Sequence, residues 1–427
     1  SSRAPVDWKD FEILGEQMKK IAKLSLVAAV AVAGFTTANA QPLEEAIKNV
    51  DVSGSVVYRY NDNQNSVTAT PAENAADNNY KIGLNLSSKV NEDVKFNSRV
   101  IVGSQTDGDF VSLDTAGHDG QADISLSNAY FGYTGLKNTT VNVGKQGLTT
   151  PWTVAVQADG NEQTGTGILA LSTVGPVTFA GAYFNQTNLD NSSDATLNDG
   201  STQVKNDGST KVKSVIKGNE DIATVGAIVA VGPATLDAWY IDAQDLLDSY
   251  TIGAKAATKV SGIDLTGEAR FASLELDPRL NLGTDANTIA KIVLTADAGL
   301  VDAKVAYATT SKDGGLTALD KDASTTLLGW NLNANGKTDA NYWQAVLGFD
   351  ILSNLNLSAN YGDLKYAADA THDEEEKEAY AQLLYTMSKN LTTYVRYGTY
   401  TKEESAAGST NQTKDYTTGR LQVKYTF

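Results

Sequence analysis

The chain ends in GRLQVKYTF, residues 419–427. Leu421, Val423, Tyr425 and Phe427 occupy every second position, with Arg420, Gln422, Lys424 and Thr426 between them. Side chains alternate across a strand, so the stretch has one apolar and one polar face. The same period of two recurs backward through the chain in segments of about ten residues. These cover 50–60, 80–90, 94–103, 124–133, 140–146, 167–174, 177–184, 222–231, 234–243 and 250–260. They continue through 263–274, 288–299, 302–310, 341–352, 355–366, 378–388, 391–400 and the terminal segment, eighteen predicted strands in all.

Short links, at 91–93, 136–139, 175–176, 232–233, 353–354 and 389–390, alternate with long polar ones. The long ones, at 61–79, 104–123, 185–221, 311–340 and 401–413, are rich in Asp, Asn, Gly, Ser and Thr. A soluble sandwich has no reason to gather its long loops at one end, whereas an outer-membrane barrel does. The expected fold is therefore all-β: a transmembrane antiparallel barrel of about 18 strands, wide enough to enclose a water-filled lumen.

The front of the chain agrees with export. From Met18 come Lys19, Lys20 and Lys23, an apolar run Leu24–Phe35, and Ala38-Asn39-Ala40. That is a signal-peptide order with an A-x-A cleavage site, and the run is too short for a membrane helix. Residues 18–40 are thus expected to be a signal peptide and 41–427 the barrel. Residues 1–17 read as translated leader, because Leu14-Gly15-Glu16 can be encoded by TTA GGA GAA, which contains a ribosome-binding sequence.

Of 34 Lys and Arg and 51 Asp and Glu, residues 1–40 hold 5 and 4, so the mature chain carries 29 against 47, a net −18. Such acidity argues against nucleic acid and favours cations near any enclosed space. There is no cysteine, and Tyr (19) outnumbers Phe (10), as suits aromatics placed where oil meets water.

PLEEAIKNVDVSGSVVYRY (42–60) resembles the mature N-terminus of the Campylobacter-type major outer-membrane porins. The resemblance continues through Gly144-Lys145-Gln146, Trp152, Asp159-Gly160 and Gly165-Thr166-Gly167, and ends in LQVKYTF. It implies an 18-stranded, homotrimeric, cation-preferring general porin with a calcium ion held by acidic residues near its constriction. Asp159 stands at the position of one family ligand, and Asp190, Asp320 and Asp322 are candidates for the others.

The segment 147–167, GLTTPWTVAVQADGNEQTGTG, has apolar Trp152, Val154 and Val156 followed by Asp159 and Glu162. An apolar anchor with an acidic tip suits a loop folded into the barrel to narrow it. Of six mature arginines, strand parity turns Arg59, Arg99, Arg270, Arg396 and Arg420 to the polar, lumenal face and leaves out Arg279. Arg59, Arg99, Arg396 and Arg420 lie on the first, third, seventeenth and eighteenth predicted strands. Closure brings these strands together as one wall, so a basic wall would face an acidic loop.

Other motifs carry less. Position 12 counted from Asp107 is His118, so TDGDFVSLDTAGHDG (106–120) lacks the bidentate acid of an EF-hand. HDEEEKE (372–378) reads as a solvated charge run at a loop edge. No HExxH, Walker loop or G-x-S-x-G occurs, and the two histidines, His118 and His372, lie apart in the sequence. The expectation is a passive, non-enzymatic channel in the bacterial outer membrane. Its partners would be outer-membrane lipid, lipopolysaccharide, ions and small hydrophilic solutes. A surface adhesin with a plugged lumen is the alternative.

Overall fold

The computed structural model describes residues 50–66, 75–103, 109–116, 118–119, 123–191, 216–280, 286–406 and 408–427. Residues 1–49, with the expected leader (1–17) and expected signal peptide (18–40), lie outside them. Going along the chain, β1 (Val50–Asn65), β2 (Ala75–Lys89) and β3 (Val94–Gly103) precede a small hairpin, β4 (Val111–Asp114) and β5 (His118–Asp119). Then come β6 (Asp123–Tyr133), β7 (Thr139–Gly147), β8 (Thr164–Val174), β9 (Val177–Thr187), β10 (Ile222–Val231), β11 (Ala234–Ala243), β12 (Leu247–Val260) and β13 (Ile263–Leu276). The chain finishes with β14 (Asn287–Asp297), β15 (Val301–Thr310), β16 (Thr338–Leu352), β17 (Leu355–Ala367), β18 (His372–Ser388), β19 (Leu391–Ala406) and β20 (Ser409–Thr426).

With the β4–β5 hairpin set aside, eighteen strands pair antiparallel with their neighbours, and β1 closes the ring on β20 from Ser55↔Thr426 to Asn65↔Tyr416. Closure is what the bilayer demands, since an open edge in hydrocarbon would leave unpaired N–H and C=O groups. The closing seam runs to the last residue: Gly54 N donates to Phe427 O (2.9 Å) and Phe427 N to Gly54 O (3.1 Å).

The alternation read from the sequence is the alternation of the wall. On β12, Ser249 and Thr251 are buried inward while Tyr250 and Ile252 are exposed outward. On the terminal strand Gln422 is buried in the lumen, and Tyr425 and Phe427 stack outside at 5.8 Å.

Three expectations are corrected. Residues 401–413 are not a long loop, because β19 and β20 run on to Ala406 and back from Ser409. Residues 372–378 are not a solvated loop edge either. They open β18, where Glu376 and Glu378 are buried inward and Glu376 accepts from Tyr400 Oη (3.1 Å). The third concerns 311–337, which does not stay outside. Leu316, Leu319, Leu327 and Leu332 are buried, so this loop, L7, folds into the barrel as L3 (148–163) does. L3 and L7 pack on the inner faces of β9–β14 through Trp152, Leu148, Leu316, Leu319, Phe184, Ile241 and Leu274. One side of the lumen is therefore filled. The loop tips face the other side, formed by β18, β19, β20, β1, β2 and β3.

Candidate constriction

L3 enters the lumen because its apolar anchor is buried there. Trp152 is fully buried, and its Nε1 donates to Ser249 Oγ on β12 (2.8 Å). Full burial of such a side chain against packed neighbours stabilises by about 3–5 kcal/mol relative to Ala. The loops are also joined through their backbones. Leu319 N donates to Trp152 O (3.0 Å), and Thr325 N to Pro151 O (3.1 Å). Asp320, fully buried, accepts from Val154 N (2.5 Å), and Asp322 Oδ2 accepts from Ala158 N (2.8 Å). L3 and L7 are thus one inserted unit.

The acidic tip meets the basic wall directly. Glu162 is buried with Lys81 Nζ at 2.7 Å on one oxygen, a fork of Arg99 (2.6–3.1 Å) across both, and Ser127 Oγ at 2.7 Å. Burial pushes its carboxyl up, but the bond from Arg99 and the charge of Lys81 outweigh it and hold it below the usual range. Glu162 is therefore a clamp between loop and wall, and its charge is matched by two cations. The expectation of an acidic pore charge is corrected at this residue.

One turn earlier, Arg59 donates to the carbonyls of Ala158 (2.7 Å) and Asp159 (3.3 Å), and Lys81 Nζ to that of Gly160. Asp159, partly exposed, is paired with Lys321 of L7. Arg59 is oriented by Gln422 Oε1 (2.7 and 2.9 Å) and lies over the Phe110 ring at 4.1 Å. Glycine makes room for these side chains. A Cβ on Gly83 would collide with the Arg99 guanidinium, and one on Gly253 with the Arg270–Asp237 pair.

Higher on the same wall, Arg396 of β19 and Arg420 of β20 stand directly opposite each other in the ladder. Arg396 Nε donates to Gln382 Oε1 (2.5 Å) and Arg420 Nε to Asn61 Oδ1 (2.7 Å). Trp330, at the tip of L7, lies 5.7 Å from the Arg396 guanidinium carbon and 5.8 Å from that of Arg420. Buried Glu378 holds that tip by accepting from Trp330 N (2.9 Å) and Asn331 N (2.7 Å).

The wall predicted from parity is thus present. Arg59, Arg99, Arg396 and Arg420 all face the inserted loops, Arg270 pairs inward with Asp237 (2.8 Å), and Arg279 stays outside the strands beside Asp277. Lys81, Lys321, Trp330 and Glu378 were missed. Parity on 80–90 would have found Lys81, and a lone Trp in a polar loop was the signal for Trp330. The calcium set does not assemble. Asp320 and Asp322 cap backbone N–H groups, Asp159 holds Lys321, and the Asp190 carboxylate lies beside Gly218. Among the described residues no three acidic or imidazole side chains are placed so that they could hold a metal ion, so these do not fit the implied ion.

A closed 18-strand barrel with loops inserted into a charged lumen is the architecture of an outer-membrane porin, a channel rather than an enzyme. The chain belongs to the Campylobacter major outer membrane protein family, whose model matches residues 18–427. Among solved structures, it is similar to OccAB3 of Acinetobacter baumannii (15% identity, TM-score 0.70, covering 89% of this chain and 99% of that one). A BenF-like porin from Pseudomonas fluorescens Pf-5 is similar at 16% identity and TM-score 0.69 (89% and 99% covered). OccK5 (OpdH) of Pseudomonas aeruginosa is similar at 17% and 0.67 (89% and 98%). These likenesses are of fold. A search of curated proteins gives no match.

Proposed function

We propose that the protein is a general diffusion porin, a water-filled, cation-preferring channel for small hydrophilic solutes that works as a homotrimer. The observation that carries the reading is the half-buried wall of Arg396 and Arg420, which water reaches between the loop tips and the strands. A lumen meant to be sealed would bury such a row. Cation preference rests on the acidity of the whole chain, with a formal charge of −17, and Glu162 contributes none of it because Lys81 and Arg99 match it.

The preference is then set at the mouths, where charges are screened within about 10 Å at 0.1 M salt and about 3 Å at 1 M. Reversal potentials in KCl gradients should show cation preference at low salt that shrinks at high salt. Anion preference at low salt would overturn it.

The trimer is supported by the outer surface. Lys145 shares the outward face of β7 with exposed Val143, and its Nζ donates to the carbonyl of exposed Leu126 (2.9 Å). A lysine facing lipid carries a cost that reaches about 2–4 kcal/mol at the midplane and falls toward the interfaces, and a neighbouring subunit over β6 and β7 would remove it. The plugged-barrel reading has one observation in its favour, the apolar packing of L3 and L7 against β9–β14. It requires that no current passes.

A further inference from the structure

We infer that the indole of Trp330 on L7, and not the tip of L3, sets the size limit for solutes. The inference deepens the porin reading and rests on it, since a size limit needs an open passage. Asn161, Glu162 and Gln163 at the L3 tip are at most 2% exposed. Glu162 and the carbonyl of Gly160 are tied to Lys81 and Arg99 on the wall. A segment that water does not reach cannot edge a water column, so trimming it changes how firmly L3 is attached. Trp330 is half-buried, and so are the wall side chains it meets, Tyr380, Arg396 and Arg420. Its ring lies 5.0 Å from that of Tyr380 on β18. The guanidinium carbons of Arg396 on β19 and Arg420 on β20 are 5.7 and 5.8 Å from it. The indole thus reaches from L7 to three adjacent strands at a place open to water.

The backbone that carries the indole sits in a socket. Leu328 and Asn333 pair as an isolated bridge, and between them Gly329 N donates to Leu332 O (2.7 Å), closing a tight turn. Buried Glu378 of β18 accepts from Trp330 N (2.9 Å), Asn331 N (2.7 Å) and Asn331 Nδ2 (3.3 Å). Gln344 of β16 donates to Leu328 O (2.7 Å). Leu332 is fully buried against β17, where a Cβ on Gly362 would come within 2.9 Å of its Cδ1. A Cβ on Gly329 would collide with the Glu378 carboxylate and the Tyr342 hydroxyl. Three strands therefore fix the turn, and a large flat side chain on a fixed backbone keeps one position, as a selective edge must. The bonds to Glu378 come from the backbone and from Asn331, so the socket survives when the indole is removed. Glu378 is a positioning residue for Trp330.

The test is swelling of proteoliposomes in arabinose and in raffinose, uncharged sugars of different bulk, so that charge preference does not enter. Passage slows as a solute's width approaches that of the pore. W330A should raise the raffinose-to-arabinose ratio of swelling rates several-fold, and W330F, which keeps a ring, should stay near the wild type. Should W330A fail to assemble, W330L serves and should raise the ratio to a smaller extent. E378Q keeps the indole but weakens its support, so its single channels should flicker while those of W330A stay quiet. A quiet E378Q channel removes the positioning role. An unchanged ratio in the Trp330 variants, or a larger change from D159A on L3, overturns the size limit. Arabinose swelling with an unchanged ratio leaves the porin reading standing. No arabinose swelling in the wild type or in W330A sinks that reading and the size limit with it.

Discussion

At the scale of single residues, Glu162 shows why a charge counted in the sequence need not be a charge in the pore. Its carboxylate holds Lys81, Arg99 and Ser127, so removing it strands one buried and one partly buried cation. Breaking such a pair from one side costs about 3–5 kcal/mol, here borne by the attachment of L3. Glu162→Gln is expected to give noisy channels of larger mean conductance with little change in selectivity. A quiet trace of normal conductance would show that the clamp does not hold the loop. The pH dependence has a definite sign. The folded pKa lies below the ordinary 4.5, so the stabilisation is complete above that value and is lost as pH falls through the folded pKa. Conductance should be level from pH 7 to about pH 5 and change only in stronger acid. A change centred near neutrality would contradict the assignment.

At the scale of elements, what could be read from the sequence ended where the bilayer ends. The strands were legible because lipid selects apolar residues at every second position of the outward face. Beyond the bilayer edge neither face meets lipid, and the alternation stops although the strand does not. That is why 401–413 read as loop while β19 and β20 continue through it, and why HDEEEKE read as a charge run while Glu376 and Glu378 point inward. L7 was hidden for a related reason. Its Asn, Asp, Gly and Thr resemble an outside loop, and only Leu316, Leu319, Leu327 and Leu332 mark the face it buries.

L3, with Pro151 and Trp152, was readable. The joining of the two loops through Pro151 and Trp152 carbonyls left no side-chain trace. Trp152→Ala should therefore loosen both loops together, raising conductance and lowering the temperature at which the unheated form is lost. If only L3 responds in limited proteolysis, the loops are independent. At the seam, Phe427 faces Gly54 across the closing pair, and Phe427→Ser should slow assembly without altering the current of channels already formed. Normal assembly kinetics in that variant would remove the role.

At the scale of the whole molecule, the same sheet answers three demands: closure against hydrocarbon, an apolar exterior and a polar interior that water can enter. Strand number, closure and the arginine wall followed from period and parity alone. The calcium candidates did not, because Asp320 and Asp322 are used to hold the L3 backbone and Asp159 to pair with Lys321. An unheated sample should migrate as a compact barrel assembled into a trimer and lose both features on boiling. A band at monomer size before heating would argue against the trimer.

The central claim is that the inserted loops narrow the lumen without sealing it. Single-channel recording of the purified barrel in a planar bilayer tests this most directly. Discrete, stepwise current in KCl is the expected result. Correctly folded, heat-modifiable protein that inserts yet passes no steps above the bare membrane would mean that L3 and L7 form a plug.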